Sequence, residues 1–535
     1  MRAACCAIAP DGDADHVCPV RVSHLVVSLP VVSLCLAGHL AAQCPDGAPP
    51  PCRRATAVTA PPAASVAILT FANASLDTAE AYLASGLADV VTARLSSVAR
   101  LVVSSRTAIA RVHGIETMRT AEIGRALGAA NLVTGSVRRA NGRLLVTAEL
   151  VRAATGQQLW SRQFDQSQAE LLSIQGAIAL DVAAAVLGTL QPDERARLVV
   201  RPTQDPRAFD LYLRTNAAMW VADSRAVQQA ITNLEAALRI DPGFSAALGR
   251  IAYFYGWVVN WDLPMPGLAP ESVVTRGLQF ADRALAADSS ASDAWLGRGY
   301  LLFFRQPPDY EGALAATRRA VTLDSTDANA RHTYAAILRR LGDFSSAEAE
   351  YHLALRDDPR LDQSVADLGI IAFTLRRFEE ARAYYDSAIA IRDVWQHRGN
   401  SARMHLITGD TTGARRDAAR ILELAPLAVR PIALADVAQV EARTGDTAAA
   451  RARVEPLVSA LGTDDPVPVR VGYETALALV ALGDRDRALA LLERVRPRGA
   501  WLWSYLVMPW FDQLRADPRF QRLVREAAPP GAPRL

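Results

Sequence analysis

The period of the apolar positions changes along this chain, and each change predicts a different element. Ser65 to Phe71 (SVAILTF) is an unbroken apolar run bounded by turn residues, the pattern of a strand buried on both faces. Leu83, Leu87, Val91, Leu95 and Val98 then recur every three or four residues and make one helical face. RLVVSS predicts a second strand, and TAEIGRALG a second helix ending near Gly128. Alternation takes over in NLVTGSVRR and RLLVTAELVRA, where Leu144, Val146, Ala148 and Leu150 share a face. Asn141-Gly142 between them supplies the positive φ angles of a tight hairpin. A further strand is expected around Trp160, after the Thr155-Gly156 turn, and Leu171, Ile174, Ile178 and Val182 line a closing helix. The predicted order is βαβαβββα, an α/β unit over residues 65–190.

Beyond residue 200 the helical period persists and a longer one joins it. The helix ends at Asp241, Asp288, Asp324, Asp358, Arg392 and Ala425 lie 47, 36, 34, 34 and 33 residues apart. Small residues eleven positions earlier keep the register: Ala230, Gly277, Ala313, Ala347, Ala381 and Ala414. Gly-Asp pairs at 342–343, 409–410, 445–446 and 483–484 mark turns in the same series. With Trp295, Gly299 and Ala320, and Leu368-Gly369 with Pro359, the pattern resembles tetratricopeptide (TPR) repeats. Residues 207–500 are therefore expected to form an all-α TPR solenoid of about eight helical hairpins, each burying its apolar face against its neighbour. The 47-residue interval carries an insert, NWDLPMPGLAPES (Asn260 to Ser272), whose Pro264, Pro266 and Pro270 exclude a helix and predict a loop leaving the solenoid.

SVAILTFAN, GLADVVTARLS, LVVSSRTA, ALGAANLVTGSVRR and TAELVRAATGQQLWSRQFD, in this order and spacing, resemble the TolB-like amino-terminal domain of bacterial signalling and envelope proteins. The resemblance covers residues 65 to about 189 and implies a non-catalytic recognition domain, one often accompanied by TPR repeats and sometimes joined to a serine/threonine kinase or an adenylate cyclase. CPDGAPPPC (44–52) and LRADPRFQRLV near the carboxyl end also look like flanking segments of such proteins. No kinase, cyclase or helix-turn-helix is expected ahead of the α/β unit, a departure from that pattern.

The amino end carries a different signal. LVVSLPVVSLCLAGHLAA, preceded by Arg21 and ending in small residues at Ala41 and Ala42, predicts that residues 1–42 are an export signal peptide or, read at its longest, a single membrane anchor. Either places residues 43 onward in the periplasm or otherwise outside the cytoplasm. In that compartment Cys44 and Cys52, seven residues apart around Asp46-Gly47 and three prolines, are expected to close a small disulfide loop in a Cys/Pro-rich linker, 43–64.

Composition narrows the chemistry. The basic and acidic residues balance to a net charge of +2, which gives no electrostatic reason to propose nucleic acid as a partner. Every one of the 58 basic side chains is arginine, so lysine-dependent phosphate loops, kinase strands and Schiff bases are excluded. HExxH, GxSxG and a GxGxxG following a strand are absent, and His113, His332, His352, His397 and His405 are scattered through separate segments. No catalytic residue, metal site or cofactor is expected, and the chain is read as non-enzymatic.

Function then rests on surfaces. Tyr253, Tyr300, Ala336, Ile370 and Met404 fall at equivalent repeat positions facing the concave side, with Trp257, Phe304, His332 and Arg339 adjoining. Two readings stay open: an aromatic groove for a peptide or helix, or rings packed between helices. Residues 501–527 are expected to cap the solenoid, with Trp501 and Phe511 inside and Trp503 or Trp510 partly exposed as a partner anchor. The resulting expectation is an exported protein-interaction scaffold of the cell envelope that takes a protein or peptide partner. The alternative is the extracytoplasmic sensor part of a membrane-anchored kinase- or cyclase-type receptor.

Overall fold

The all-apolar segment near residue 65 sits in the middle of a sheet, as its pattern requires. In the computed structural model residues 61–533 are described, apart from 76–79, 111, 113, 168–169, 217–223, 262, 264, 266, 326, 463–466 and 496–498. The segment expected to be an export signal, most of the linker, the Cys44–Cys52 pair and His113 lie outside the described residues. The first elements are β1 (Ser65–Ile68), β2 (Ala72–Asn73), α1 (Ala81–Ser96), β3 (Val102–Val103), α2 (Arg106–Ala110), α3 (Thr120–Leu127), β4 (Asn131–Ala140), β5 (Arg143–Arg152), β6 (Gln158–Ser167) and α4 (Leu171–Leu187). The sheet runs β3-β1-β4-β5-β6, with β2 also paired to β4. β1 is parallel to both β3 and β4, whereas β4, β5 and β6 are antiparallel. The short β2 and α2 are additions to the order expected from periodicity. Asn141 (φ 51°) and Gly142 (φ 72°) make the β4–β5 turn, which sets Ala140 opposite Arg143. Leu144, Val146, Ala148 and Leu150 are fully buried under α1 and α4.

Two short helices, α5 (Pro192–Val199) and α6 (Pro206–Leu213), lead into the repeats. α6 pairs with α7 (Ser224–Ile240), then α8 (Ser245–Trp261) with α9 (Pro270–Ala287), α10 (Ser292–Phe304) with α11 (Tyr310–Leu323), and α12 (Ala328–Leu341) with α13 (Phe344–Asp357). The series continues with α14 (Asp362–Thr374) and α15 (Phe378–Ile391), α16 (Trp395–Thr408) and α17 (Thr411–Leu424), α18 (Arg430–Arg443) and α19 (Thr447–Ala460), and α20 (Val469–Ala481) and α21 (Arg485–Arg494). Each pair stacks on the next, giving a TPR-type solenoid.

The Gly-Asp pairs explain the hairpin turns. Gly342, Gly409, Gly445 and Gly483 all have φ between 78° and 97°, ending one helix in the left-handed region. Asp343, Asp410, Asp446 and Asp484 then accept the backbone N–H of Ser346, Gly413, Ala449 and Arg487 and start the next helix. Such a cap contributes about 1 kcal/mol. In the α14–α15 turn Arg376 stands in the glycine's place with φ 61°. Tight helix crossing requires the small residues: a Cβ on Gly297 would lie 2.5 Å from the Ala252 carbonyl carbon, and one on Gly299 would lie 2.3 Å from the Thr317 methyl.

The α/β unit and the first repeats share one continuous core. Tyr82 on α1 donates to Asp210 on α6 at 2.6 Å, while Arg139 from β4 and Arg214 at the end of α6 flank the same carboxylate. Burial, and then the bond to Asp210, push the Tyr82 phenol up to about 12. Farther along the solenoid, Ser105 donates to Asp358 at 3.0 Å.

Two expectations need correction. The insert after α8 is not a detached loop, because the helix continues through Trp261 and Leu263 and Met265 are 6 % and 9 % exposed, held in the core by their apolar side chains. The terminal segment also differs. It comprises α22 (Ala500–Leu506), a 3-10 turn (Pro509–Leu514) and α23 (Pro518–Ala527). Trp503 is 2 % and Trp510 7 % exposed, and Trp501, Phe511 and Phe520 are buried too. The segment packs on α20 and α21, and α22 also lies against α12, so rings expected at a rim find a second wall. Among the described residues no helix is long and apolar enough to cross a membrane.

Candidate functional site

The inner helices α8, α10, α12, α14, α16, α18 and α20 surround a cavity of about 190 Å³, closed on one side by Tyr505, Met508 and Trp510 of the terminal segment. The solenoid bends far enough to bring α8 to α20: the Arg470 guanidinium lies 4.8 Å above the Trp261 ring. The space is thus a bore rather than an open groove.

Seven of the nine residues expected on or beside the concave face line it: Tyr253, Trp257, Tyr300, His332, Ala336, Arg339 and Ile370. Phe304 and Met404 do not. Phe304 is turned against Trp501, edge to face at 4.9 Å, and so belongs to the packing under α22. Met404 is 1 % exposed, and its neighbour Arg403 faces the cavity instead. The reason is a one-residue change of register: α14 begins four residues after Asp358, whereas α16 begins three after Arg392.

The residues that periodicity did not single out are mostly charged. Arg403 donates to both Asp436 on α18 and Glu474 on α20, and Gln439 donates to Glu474 at 2.9 Å. Burial disfavours the Arg403 cation, but the two carboxylates outweigh it and hold its pKa well above the ordinary value. Asp436 is pushed well up by burial, with the neighbouring Glu474 adding to the effect against the opposing pull of Arg403. On α14, Asp367 accepts from Tyr351 at 2.6 Å and faces Arg339 at 3.6 Å. Burial alone would raise it, but Arg339 and His332 bring it below the usual carboxylate range. His397 and Arg392 share the buried Asp362 at 2.8 and 2.9 Å. A charged pair such as Arg470 and Glu474, four residues apart in the apolar run VRVGYETALALVA, is the sequence signal that marked this face.

Arg340 and Arg470 stand apart from the other lining arginines. Among the described residues neither has a carboxylate within 4 Å or a hydrogen bond, and the Nη1 atom of each is buried without a partner. Arg340 is 8 % exposed, its charge disfavoured by burial and then by Arg339. It lies over the rings of Phe303 and Phe304, at 5.7 and 5.8 Å from their centroids, and Asp367 attracts it from beyond ion-pair distance. Cation–π contact contributes about 2 kcal/mol or somewhat more when desolvated, against a burial penalty of several kcal/mol per ion. The arrangement can bind and neutralise charge. Among the described residues no group of His, Cys, Asp and Glu is placed to hold a metal ion.

No family model matches the chain. A curated relative, "Putative adenylate cyclase 3" of Rhizobium meliloti (strain 1021), is 27% identical over 228 residues, or 42% of this chain. The match spans 38% of that relative's length. Among solved structures the chain is similar to Pseudomonas aeruginosa PilF (15% identity, TM-score 0.31, 39% of this chain and 91% of that one). It is also similar to PilW, a type IV pilus biogenesis factor (16%, 0.33, 42% and 98%), and to yeast Tom70 (12%, 0.38, 67% and 82%).

Proposed function

We propose that the chain is a non-enzymatic interaction scaffold that takes a protein partner on the inner surface of its solenoid. The observation that carries the reading is that this surface already holds a polypeptide segment: Trp501 packs on Phe304, Trp510 on Phe373 and Tyr505 on Tyr473. A short aromatic helix is therefore an occupant whose shape and chemistry suit the inner face, and the chain's own α22 fills the place of a partner. The pattern of an export signal or anchor at 1–42 supports an extracytoplasmic location in the cell envelope. The motifs from SVAILTFAN to TAELVRAATGQQLWSRQFD support reading the α/β unit as a TolB-like recognition domain.

A photoactivatable residue at Ile370, introduced into the full chain in its native host, tests this. Crosslinking to an envelope protein, with a yield that rises when the terminal segment is loosened by Arg376→Glu, is the expected result. Crosslinks confined to the chain's own residues 500–514, or recovery of the protein in the cytosol, would remove the reading. A second reading, the sensor portion of a cyclase-type receptor, is favoured by the 228-residue similarity to the Rhizobium meliloti protein. Retention in carbonate-washed membranes together with cyclic-nucleotide changes on deletion would favour it.

A further inference from the structure

We infer that the bore is a receptor site for a small organic anion, whose carboxylate or phosphoryl head takes Arg340 as its counter-ion with Arg470 as a second cation. The inference starts from charge matching within one cavity. Five arginines line it, and three are matched: Arg339 by Asp367, Arg392 by Asp362, and Arg403 by Asp436 and Glu474. Among the described residues the remaining two have no carboxylate within 4 Å, and the Nη1 of each is buried and unbonded. Every other lining arginine has a carboxylate in direct contact, whereas Arg340 and Arg470 feel Asp367 and Asp436 only from beyond 4 Å and otherwise meet aromatic rings, a weaker substitute for an anion in contact.

The walls specify the rest of the ligand. Tyr300, Tyr505 and Trp510 stand with Arg340 on the lining, and Trp261 and Trp395 lie under the Arg470 guanidinium at 4.8 and 6.0 Å. Flat rings around a guanidinium fork suit a molecule with a planar or apolar body and one acidic end. With Tyr505, Met508 and Trp510 already inside, the 190 Å³ that remains is too small for a peptide helix and fits a compact organic acid. The head is an oxyanion able to accept two parallel N–H bonds, which both carboxylates and phosphomonoesters provide.

Thermal denaturation and calorimetric titration of the full chain decide it, with sodium benzoate, phenyl phosphate, inorganic phosphate and phenol at matched ionic strength. Saturable stabilisation by benzoate or phenyl phosphate, and none by phenol, is expected; which of the two binds tighter identifies the head group. Arg340→Met should weaken that binding about tenfold or more, the loss of one charge-assisted contact, and should raise the midpoint of the unliganded protein by removing an unmatched buried cation. Arg470→Met provides a second, independent variant, and Arg451→Met, at an exposed position, should leave binding unchanged. Absence of saturable binding by either aromatic anion, or equal binding by wild type, Arg340→Met and Arg470→Met, would overturn the inference. Destabilisation of the unliganded protein by both bore variants would also overturn it, since the cations would then serve the fold. Inorganic phosphate binding as tightly as phenyl phosphate would remove the aromatic body. No protein partner enters the assay, so its failure is separate from failure of the scaffold reading.

Discussion

The Trp510 ring stacks on Phe373 with centroids 4.6 Å apart and planes inclined by 20°, joining the terminal segment to an inner helix on the cavity wall. Phe373 belongs to the inner helix α14, and Trp510 opens the last 3-10 turn. The contact, with Trp501 on Phe304, turns the end of the chain from a cap on the final hairpin into a brace across the solenoid. Trp510→Ala should therefore lower unfolding stability by about 3–5 kcal/mol, the range for deleting a buried large ring. A double-mutant cycle with Phe373→Leu should return a coupling of about 0.5–1.5 kcal/mol, read by urea denaturation. Acrylamide should leave Trp501, Trp503 and Trp510 unquenched in single-tryptophan variants.

The same brace has an ionic contact at its edge. Arg376 donates both hydrogen bonds of its Nη2 group to Asp512, at 2.8 and 2.7 Å, from a backbone at φ 61°. The pair is exposed and is worth at most about 1 kcal/mol, which left-handed backbone strain of about 1–2 kcal/mol offsets. Arg376→Gly should leave global stability nearly unchanged, whereas Arg376→Ala, keeping the strain and losing the pair, should be about 1 kcal/mol less stable than the glycine variant. Hydrogen exchange across residues 509–514 should quicken in both.

Arg403 answers two buried acids. Arg403→Met leaves Asp436 and Glu474 facing each other without the cation bonded to both, and a loss of about 3–5 kcal/mol is expected. Adding Asp436→Asn and Glu474→Gln should recover most of it. In the single variant the loss should deepen as pH rises. Asp436 is raised above its unfolded value, so the folded state retains a proton that the unfolded chain releases, and its contribution is full at acid pH and falls as pH rises. Denaturation midpoints at pH 5 and pH 8 check the sign.

Asp327 gives a pH effect with a defined window. It caps α12 by accepting from the backbone of Asn329 and Ala330, yet burial, and then the charge of Asp324, push it up to about 7. The folded pKa lies above the unfolded value of 3.8, so its stabilisation is complete below 3.8 and is lost as pH rises through 7. Asp327→Asn, which retains a capping oxygen, should melt higher than wild type at pH 8. The two should converge at pH 4.

What the sequence determined by itself was everything encoded over a few residues or at a fixed period. The Asn141-Gly142 hairpin, the four Gly-Asp turns and the buried faces of α1, β5 and α4 follow from backbone sterics and from apolar spacing, which act locally. The 34-residue rhythm placed Tyr253, Tyr300, Ala336 and Ile370 on one inner surface because each hairpin repeats its neighbour's geometry. It misplaced Met404, since one residue fewer before α16 turns that helix by about 100°. Tertiary structure alone decided how far the solenoid bends, because curvature is the sum of small rotations at every interface. That bend brings Arg470 to Trp261, carries α22 back to α12 and buries Trp503 and Trp510. No pattern along the chain encodes contacts between residues so far apart in sequence, and the candidate site consists largely of them.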